Sequence, residues 1–407
     1  MTDTDALPAS SIQVAQRAAQ FQWDGNAFEA GIGIAASGGG FRAMLFHTGA
    51  LLRLSELGIL ESAKRISSAS GGSIATGFLA TVWNDLAQNR FQNFKQAFVE
   101  PMLAFSRQKI DVVDALTGAL PWTSASQQVA DSYDKYLFTN RTLQDLPDAP
   151  QFVFCATNLQ TGVLFRFTKL YAGEYVLGRL DKPKLRLAQA VAASSAFPPV
   201  LSPMTLDLPD GSFTNWPGGV SPISDTELGA FQRHVLLTDG GVYDNHGLEP
   251  LVKRFSTLFV SDGGAPFERA ADLHTDWISQ LRRVLDVTDN QVRALRRRDL
   301  IDRLSDGNRA GDEAKIVADQ SYARMGAYWG IDTDPIKLNP QNALACNPDT
   351  VSALAHLGTR LSDLGEQTSK QVINWGYAIC DRSIRSNYKG LPSQPTPAWP
   401  YEDAKPE

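Results

Sequence analysis

Residues 66–75 constrain the fold most, because they predict a buried strand, then a sharp turn of small residues, then a helix. A serine on such a turn, here Ser70, is pushed out of the backbone towards a substrate, as in the Gly-x-Ser-x-Gly nucleophile elbow. Gly72 matches the last glycine of that motif, but Ser68 stands in place of the first. The backbone at the first position can need a positive φ, which serine disfavours. We therefore predict a strand, a turn and a helix, with Ser70 as the candidate nucleophile.

Short apolar segments alternate with helical patterns in the first part of the chain, which indicates an α/β fold. Residues 31–36 predict a buried strand, small residues break it at 37–40, and residues 41–57 carry apolar positions at helical spacing. Residues 64–68 and 73–87 repeat the order of strand, turn and helix. This rhythm predicts a mainly parallel central sheet. Other short apolar segments predict further strands at residues 151–157, 163–168, 234–238 and 257–261.

Changes in composition divide the chain into four parts. Residues 1–30 predict a polar lead-in, and residues 31–266 predict the α/β core. A helical insertion occupies about residues 90–150 of that core, because the pattern there does not indicate a sheet. Residues 267–391 predict a helical C-terminal region that packs on the core. Residues 392–407 contain several prolines and predict an extended tail.

The composition limits the classes of function. With 43% hydrophobic residues, a chain of 407 residues can bury a large core, and a net charge of −6 does not suggest a nucleic-acid partner. Three widely spaced cysteines predict neither a disulfide framework nor a metal site, and we expect no metal ion or other cofactor. The chain has no apolar run of about 18 residues and no export signal at its start. We therefore expect a cytoplasmic protein, and leave open both peripheral contact with a membrane and secretion without a cleaved signal.

Two further segments predict chemistry close to the candidate nucleophile. A glycine run lets the backbone approach a ligand, and the helix after it directs free N–H groups at that ligand; the run consists of Gly38, Gly39 and Gly40. Such N–H groups stabilise the oxyanion of an acyl-transfer intermediate, and Arg42 would add a fixed positive charge. Asp239 follows a predicted strand and can approach a serine hydroxyl as a general base. Open α/β sheets place their sites at the carboxyl ends of strands, so we expect these segments to meet.

Other interpretations of these residues have less support. A Walker A loop needs a lysine after the glycine run, which this chain lacks. A dinucleotide fingerprint has its third glycine where Ala43 stands, a position that accepts small residues. The acidic residue of that fingerprint has only loose matches in Glu56 and Glu61, and a nucleotide site would leave Ser70 and Asp239 without a role. A Ser-Asp-His triad needs a histidine later in the chain. By order the candidates are His246, His274 and His356, none of which lies at an evident strand end.

Four ordered sequence blocks resemble those of patatin-like phospholipases. They are Ser-Gly-Gly-Gly-Phe-Arg-Ala-Met at 37–44, Ser-Ala-Ser-Gly-Gly-Ser at 68–73, Ala-Ser-Ser-Ala-Phe-Pro-Pro at 193–199 and Asp-Gly-Gly-Val-Tyr-Asp-Asn at 239–245. The first block is also similar to that of the cytosolic phospholipase A group. Four blocks in the family's order are a more specific signal than any one of them.

This resemblance implies a three-layer α/β/α sandwich and a lipid or phospholipid acyl ester as substrate. It implies a Ser-Asp dyad without histidine, in which Ser70 attacks the ester carbonyl and Asp239 accepts its proton and later activates water. The amides of residues 38–40 would form the oxyanion hole, assisted by Arg42. The alternative is a catalytically inactive patatin-like scaffold that binds a lipid or a partner, which the departure at Ser68 supports.

Two features later in the chain need a choice between interpretations. Asp262 begins a second Asp-Gly-Gly sequence, but we favour Asp239 because residues 242–245 continue as the family's block does. Arginines are clustered at residues 282–303, where they could attract anionic lipid. Aspartates are interleaved with them, so we predict a solvated helix face with paired charges.

Overall fold

Ten strands of the described residues form one sheet at the centre of the protein. The computed structural model describes residues 28–108, 110, 125–216, 221–391 and 395–407. In chain order the strands are β1 (Glu29–Ala36), β2 (Ala63–Ala69), β3 (Gln151–Asn158), β4 (Leu164–Phe167), β5 (Tyr171–Glu174), β6 (Gly178–Asp181), β7 (Met204–Asp207), β8 (His234–Asp239), β9 (Phe255–Asp262) and β10 (Met325–Gly330). Every strand that the sequence predicts is present.

Helices flank the sheet. In chain order they are α1 (Gly40–Glu56), α2 (Gly71–Gln88), α3 (Glu100–Phe105), α4 (Ala125–Tyr133), α5 (Leu187–Ser194), α6 (Asp225–Arg233), α7 (Gly241–Asp244), α8 (Glu249–Val252), α9 (Trp277–Ala310), α10 (Glu313–Ala318), α11 (Pro348–Ala355) and α12 (Glu366–Asn387). Short π-helical and 3₁₀ segments add Lys95–Val99, Asp134–Phe138, Leu143–Asp145, Pro335–Lys337 and Glu402–Ala404. Within the described ranges, none of the helices combines the length and the apolar character needed to cross a bilayer.

The middle of the sheet is parallel, in the order β10-β9-β1-β2-β3. β4, β5 and β6 continue from β3 as an antiparallel edge. β3 extends beyond β2, and the antiparallel β8 pairs with its last residues. Ala69 at the end of β2 lies opposite Cys155, and Asp239 at the end of β8 lies opposite the next residue, Ala156. The carboxyl ends of β2 and β8 therefore meet end to end on β3.

Alternate side chains of the central strands enter cores on opposite faces of the sheet, which makes the protein a three-layer α/β/α sandwich. In β9, Leu258 and Val260 pack in one core with Leu300 and Leu304 of α9. Phe259, between them, packs in the larger core on the side of α1, α2 and α12. Full burial of each such side chain contributes about 1.5–3 kcal/mol. The expected fold class, a mainly parallel sheet between helical layers, is confirmed.

Helix α12 holds α1, and thereby the glycine run at which α1 begins. A Cβ on Gly49 of α1 would lie 1.9 Å from the carbonyl oxygen of Ile373, so only glycine lets the two helices approach this closely. Arg53 of α1 and Asp381 of α12 form a buried ion pair with a distance of 2.8 Å between Nη2 and Oδ1. Breaking such a buried pair costs about 3–5 kcal/mol. This packing fixes the start of α1 relative to the sheet.

The C-terminal region contributes more to the core than helices alone. β10 adds a parallel strand beside β9, where the sequence pattern predicts only helices. Residues 395–407 contain one short 3₁₀ segment and pack on α12, because Asn374 donates hydrogen bonds to the carbonyls of Tyr401 (2.7 Å) and Ala404 (2.9 Å). Residues 1–27 of the predicted lead-in lie outside the described residues.

Four arginines of the cluster at residues 282–303 form ion pairs, but the predicted solvated face is only partly correct, because of these four only Arg303 pairs with an aspartate of the same helix and Arg293 is largely buried. The pairs and their shortest nitrogen–oxygen distances are Arg293–Asp262 (3.4 Å), Arg296–Glu249 (3.4 Å), Arg297–Asp332 (3.3 Å) and Arg303–Asp299 (2.7 Å). These contacts tie the second half of α9 to the sheet and to the segments around it. The arginine cluster therefore serves mainly to attach the helix.

Candidate active site

Ser70 occupies a strained turn between β2 and α2. Its backbone has φ 49° and ψ −121°, a conformation that L-residues other than glycine rarely adopt. Its N–H donates to the carbonyl (3.1 Å) and to the hydroxyl (3.0 Å) of Ser194 in α5. A Cβ on Gly71 would lie 2.2 Å from the Gly40 carbonyl, and one on Gly72 would lie 2.3 Å from the Ala36 carbonyl. Small residues are therefore required where this turn passes between neighbouring segments.

Ser68 is compatible with the turn. It is a regular residue of β2, and the positive φ falls on Ser70 instead, so the predicted backbone conflict at Ser68 is wrong. The Ser68 hydroxyl is fully buried and forms hydrogen bonds with the hydroxyls of Thr76 (2.7 Å) and Ser73 (3.0 Å). The Ser73 hydroxyl in turn contacts that of Ser194 at 2.8 Å. A serine at position 68 thus has a partner for its polar group inside the core.

Asp239 is the last residue of β8, at the point where β8 meets the end of β2. Its N–H donates to the Ala196 carbonyl at 3.0 Å, and its Oδ1 accepts the Gly241 N–H at 2.7 Å. Its Oδ2 is buried without a full hydrogen bond from any described residue. Burial raises the pKa of Asp239 to about 7. The Gly241 N–H and the Ser70 hydroxyl act in the opposite direction, but their effect is smaller. The Ser70 hydroxyl is thus close to Asp239, although the contact is looser than a full hydrogen bond, as is common before a substrate binds.

The glycine run lies directly beside Ser70. A Cβ on Gly38 would come within 3.1 Å of the Ser70 Cβ and 2.4 Å of the Asn245 Oδ1. The Gly38 N–H already donates to the Asn245 carbonyl at 2.9 Å. Gly39 and Gly40 both have positive φ, and in the described part of the chain their N–H groups donate to no acceptor. Two backbone N–H groups at the start of α1 therefore remain available as hydrogen-bond donors within the described residues.

Arg42 is fully buried, and its guanidinium group is directed at protein acceptors. It donates to the Gly263 carbonyl from Nε and Nη2, both at 3.2 Å. It also donates to the Leu357 carbonyl and, at 3.2 Å, to the Thr359 hydroxyl. Burial lowers the pKa of Arg42 to about 10, which leaves it charged at neutral pH. Arg42 thus ties the start of α1 to two segments that are distant in sequence.

Asp262, in the second Asp-Gly-Gly sequence, belongs to a separate buried network. Its Oδ2 accepts the Tyr328 hydroxyl (2.9 Å) and contacts the His246 Nε2 (3.1 Å), and its Oδ1 accepts the Gly264 N–H (3.0 Å) and a longer contact from Arg293. The Arg293 guanidinium and His246 hold the pKa of Asp262 well below its usual range, although burial opposes them. A carboxylate so fully paired is a poor proton acceptor, which distinguishes it from Asp239.

No histidine of the chain forms a hydrogen bond with Ser70 or Asp239 in the described residues. His246 contacts Asp262, and His356 contacts the Ser352 carbonyl. His47 is buried between the Ser261 hydroxyl (2.8 Å) and the Ser37 carbonyl (2.9 Å), and burial lowers its pKa to about 4. Among the residues that the structure describes, no group of three or more side chains could hold a metal ion.

Two positioning residues were not assigned from the sequence. Ser194 anchors the Ser70 turn, and the Asn245 carbonyl anchors Gly38. Ser194 lies in the sequence block at 193–199 and Asn245 in the block at 239–245. The blocks therefore contain both residues but do not indicate what they bind. The expected site residues otherwise lie together: Ser70, Asp239 and the glycine run meet at the junction of β2 and β8.

One solved structure shares this architecture at a TM-score above 0.5. Human GIVD cytosolic phospholipase A2 is similar with a TM-score of 0.52 and 13% identity, over 93% of this chain and 63% of that chain. The chain therefore spans less than two thirds of that structure. VipD from Legionella pneumophila gives a TM-score of 0.34 and 14% identity, over 86% of this chain and 66% of that chain.

Comparison of sequences identifies the family. No curated protein sequence matches the chain significantly. A family model described as patatin-like phospholipase matches residues 34–252, which is more than half of the chain and includes all four sequence blocks. The chain belongs to the patatin-like phospholipase family.

Proposed function

We propose that this protein is a lipid acyl hydrolase in which Ser70 is the nucleophile and Asp239 is the base. The observation that carries the proposal is the meeting of β2 and β8 on β3, which brings the two residues together beside the glycine run. Membership of the family supports a carboxylic ester of a lipid as the substrate. The strained backbone of Ser70 supports the same role, because such strain is concentrated at functional sites.

In the first half of the reaction, the Ser70 Oγ attacks the ester carbonyl and its proton passes to the Asp239 Oδ2. The oxyanion of the tetrahedral intermediate accepts the N–H groups of Gly39 and Gly40, which have no other acceptor in the described residues. Each such donor contributes about 3–4 kcal/mol to transition-state stabilisation. The bond to the alcohol then breaks, the alcohol takes the proton from Asp239, and the acyl group remains on Ser70.

In the second half, Asp239 accepts a proton from water, and the resulting hydroxide attacks the acyl-serine. The same two N–H groups hold the second oxyanion. Ser70 then leaves with the proton from Asp239, and the free fatty acid is released. Both halves need an ionised Asp239 with a vacant oxygen, and a pKa of about 7 suits a base that must accept and return a proton near neutrality.

Gly38 and Arg42 have positioning roles in this proposal. The Gly38 N–H is occupied by Asn245, and its missing side chain leaves room for Ser70. Arg42 holds the start of α1 against the Gly263 carbonyl, so that the free donors of the glycine run keep their direction. We also propose a cytoplasmic location, supported by three cysteines that are all free.

Hydrolysis of a chromogenic acyl ester and of a long-chain phospholipid tests this function. Ser70→Ala and Asp239→Asn should each abolish both activities while circular dichroism and the melting temperature show an intact fold. Full activity in Ser70→Ala would overturn the assignment of the nucleophile. An inactive wild-type protein that still binds lipid would favour the alternative of a patatin-like scaffold.

A further inference from the structure

The first half of α9 presents an apolar face that no described residue covers. Five side chains at helical spacing are more than half exposed: Trp277 (75%), Ile278 (61%), Leu281 (55%), Val284 (58%) and Leu285 (60%). We call them the α9 apolar face. Isolated exposed apolar residues are ordinary, but a contiguous set of this size marks a surface that binds something.

The helix that carries the α9 apolar face is attached near the candidate active site. Two turns further along the helix, Arg293 donates to the Ala265 carbonyl at 2.8 Å. One turn beyond it, Arg296 donates to the Tyr243 carbonyl at 3.2 Å. Tyr243 lies four residues after Asp239, in the short helix α7 that follows β8. The helix is therefore attached beside the base, and the charge of Asp289 on α9 is near enough to raise the pKa of Asp239.

Exposed apolar residues also flank the site itself. Phe197 follows Ala196, whose carbonyl accepts the Asp239 N–H, and Phe197 is 56% exposed. Val242 follows Gly241, whose N–H binds the Asp239 carboxylate, and Val242 is also mostly exposed. The rim of the site and the α9 apolar face thus both expose apolar side chains.

We propose that the α9 apolar face, together with Phe197 and Val242, docks the protein on the surface of a lipid aggregate. This inference rests on the proposed function, since it supplies the surface from which a lipid ester would reach Ser70. An amphipathic helix binds at a membrane interface by inserting such side chains below the headgroups, and Trp277 is of the type that favours the interface.

The charges near this face favour a zwitterionic lipid surface. The five residues of the face are uncharged. On the same stretch of helix, Arg282 and Arg283 are balanced by Asp286 and Asp289. Binding to anionic lipid depends on an excess of basic side chains, which this stretch lacks. Insertion of apolar side chains is therefore the main source of affinity.

A second copy of the chain fits this face less well than a lipid surface does. A coiled coil needs apolar positions maintained over at least three to four heptads. Along α9 the heptad spacing that begins at Trp277 meets the polar residues Thr288 and Gln291. The spacing that begins at Ile278 meets Thr288 and then Asp299. Pairing of two helices would also leave Phe197 and Val242 without a role.

Binding to vesicles tests the proposal without depending on catalysis. The full chain carrying Ser70→Ala is mixed with phosphatidylcholine vesicles, and the bound fraction is measured by sedimentation. Adding Leu281→Ser and Leu285→Ser should weaken binding roughly tenfold or more, because two inserted side chains become polar. The matched control adds Leu170→Ser and Ile336→Ser, which replace equally exposed residues elsewhere and should leave binding unchanged.

The outcomes separate the occupants of this face. Equal binding by the Leu281→Ser/Leu285→Ser protein and its control would overturn the proposal, as would binding that appears only when phosphatidylserine is added. A dimer in solution that this pair of substitutions dissociates would identify a second copy as the occupant. Loss of vesicle binding at an unchanged melting temperature supports the proposal, whether or not Ser70 proves to be the nucleophile.

Discussion

Ser70 and Asp239 come from strands that approach each other end to end along a third strand. Ser70 follows Ala69, which lies opposite Cys155, and Asp239 lies opposite the neighbouring residue Ala156. A parallel and an antiparallel neighbour thus share one edge of β3. The arrangement fixes both backbones through β3, and the Asp239 Oδ2 is buried without a hydrogen bond from any described residue.

The strain at Ser70 predicts a difference between two substitutions that both remove its hydroxyl. Ser70→Gly should be more stable than Ser70→Ala by about 1 kcal/mol, because glycine tolerates a φ of 49° and alanine does not. Both variants should be inactive. Chemical denaturation of the two proteins measures the difference. Equal stabilities would mean that the turn is not strained.

The raised pKa of Asp239 predicts how activity depends on pH. Only the ionised carboxylate can accept the Ser70 proton, so kcat/KM should fall as pH decreases through about 7. An unperturbed aspartate would lose activity only near pH 4. A rate profile for a soluble ester between pH 5 and pH 9 measures this. A plateau extending down to pH 5 would contradict the proposed base.

The same pKa affects stability with the opposite sign. The folded state holds the Asp239 proton more tightly than the unfolded chain does. The free energy of unfolding should therefore fall as pH rises from about 4 to about 7. Asp239→Asn removes this contribution. The unfolding free energy of the wild type, relative to that of this variant, should therefore decrease as pH rises over that range and remain constant above it.

Asp262 should be important for stability and not for the reaction. Asp262→Asn leaves the Arg293 guanidinium without its main buried partner, which should cost about 3 kcal/mol or more of unfolding free energy. The fraction that remains folded should still react with an acyl ester. Urea denaturation and an activity assay corrected for folded protein measure both effects. A stable but inactive Asp262→Asn protein would place Asp262 in the reaction.

Arg42 should act through geometry more than through charge. Its guanidinium reaches three separate protein acceptors, which the single ammonium group of lysine cannot do. We expect Arg42→Lys to lose roughly 100-fold in kcat/KM, similar to Arg42→Ala, because the glycine run loses its support. Kinetics of both variants on one soluble ester test this. Nearly full activity in Arg42→Lys would show that the positive charge alone is needed.

The sequence predicts those parts of the site that local patterns determine. Ser70 lies on a strand-to-helix turn, and Asp239 ends a strand, so both could be identified from short motifs. The acceptors of Arg42 and Gly38 could not, because Asn245, Gly263 and Leu357 reach them only through the tertiary fold. The sequence pattern does not predict β10 for a similar reason, since its six residues become a strand by pairing with β9.

Mass spectrometry of the wild-type protein after reaction with a fluorophosphonate tests the central claim most directly. An activated serine attacks phosphorus and displaces fluoride, which leaves a stable covalent adduct. The proposed function predicts one adduct on the peptide that contains Ser70, and loss of that adduct in both Asp239→Asn and Ser70→Ala. An adduct on a different serine, or no adduct on a correctly folded protein, would contradict it.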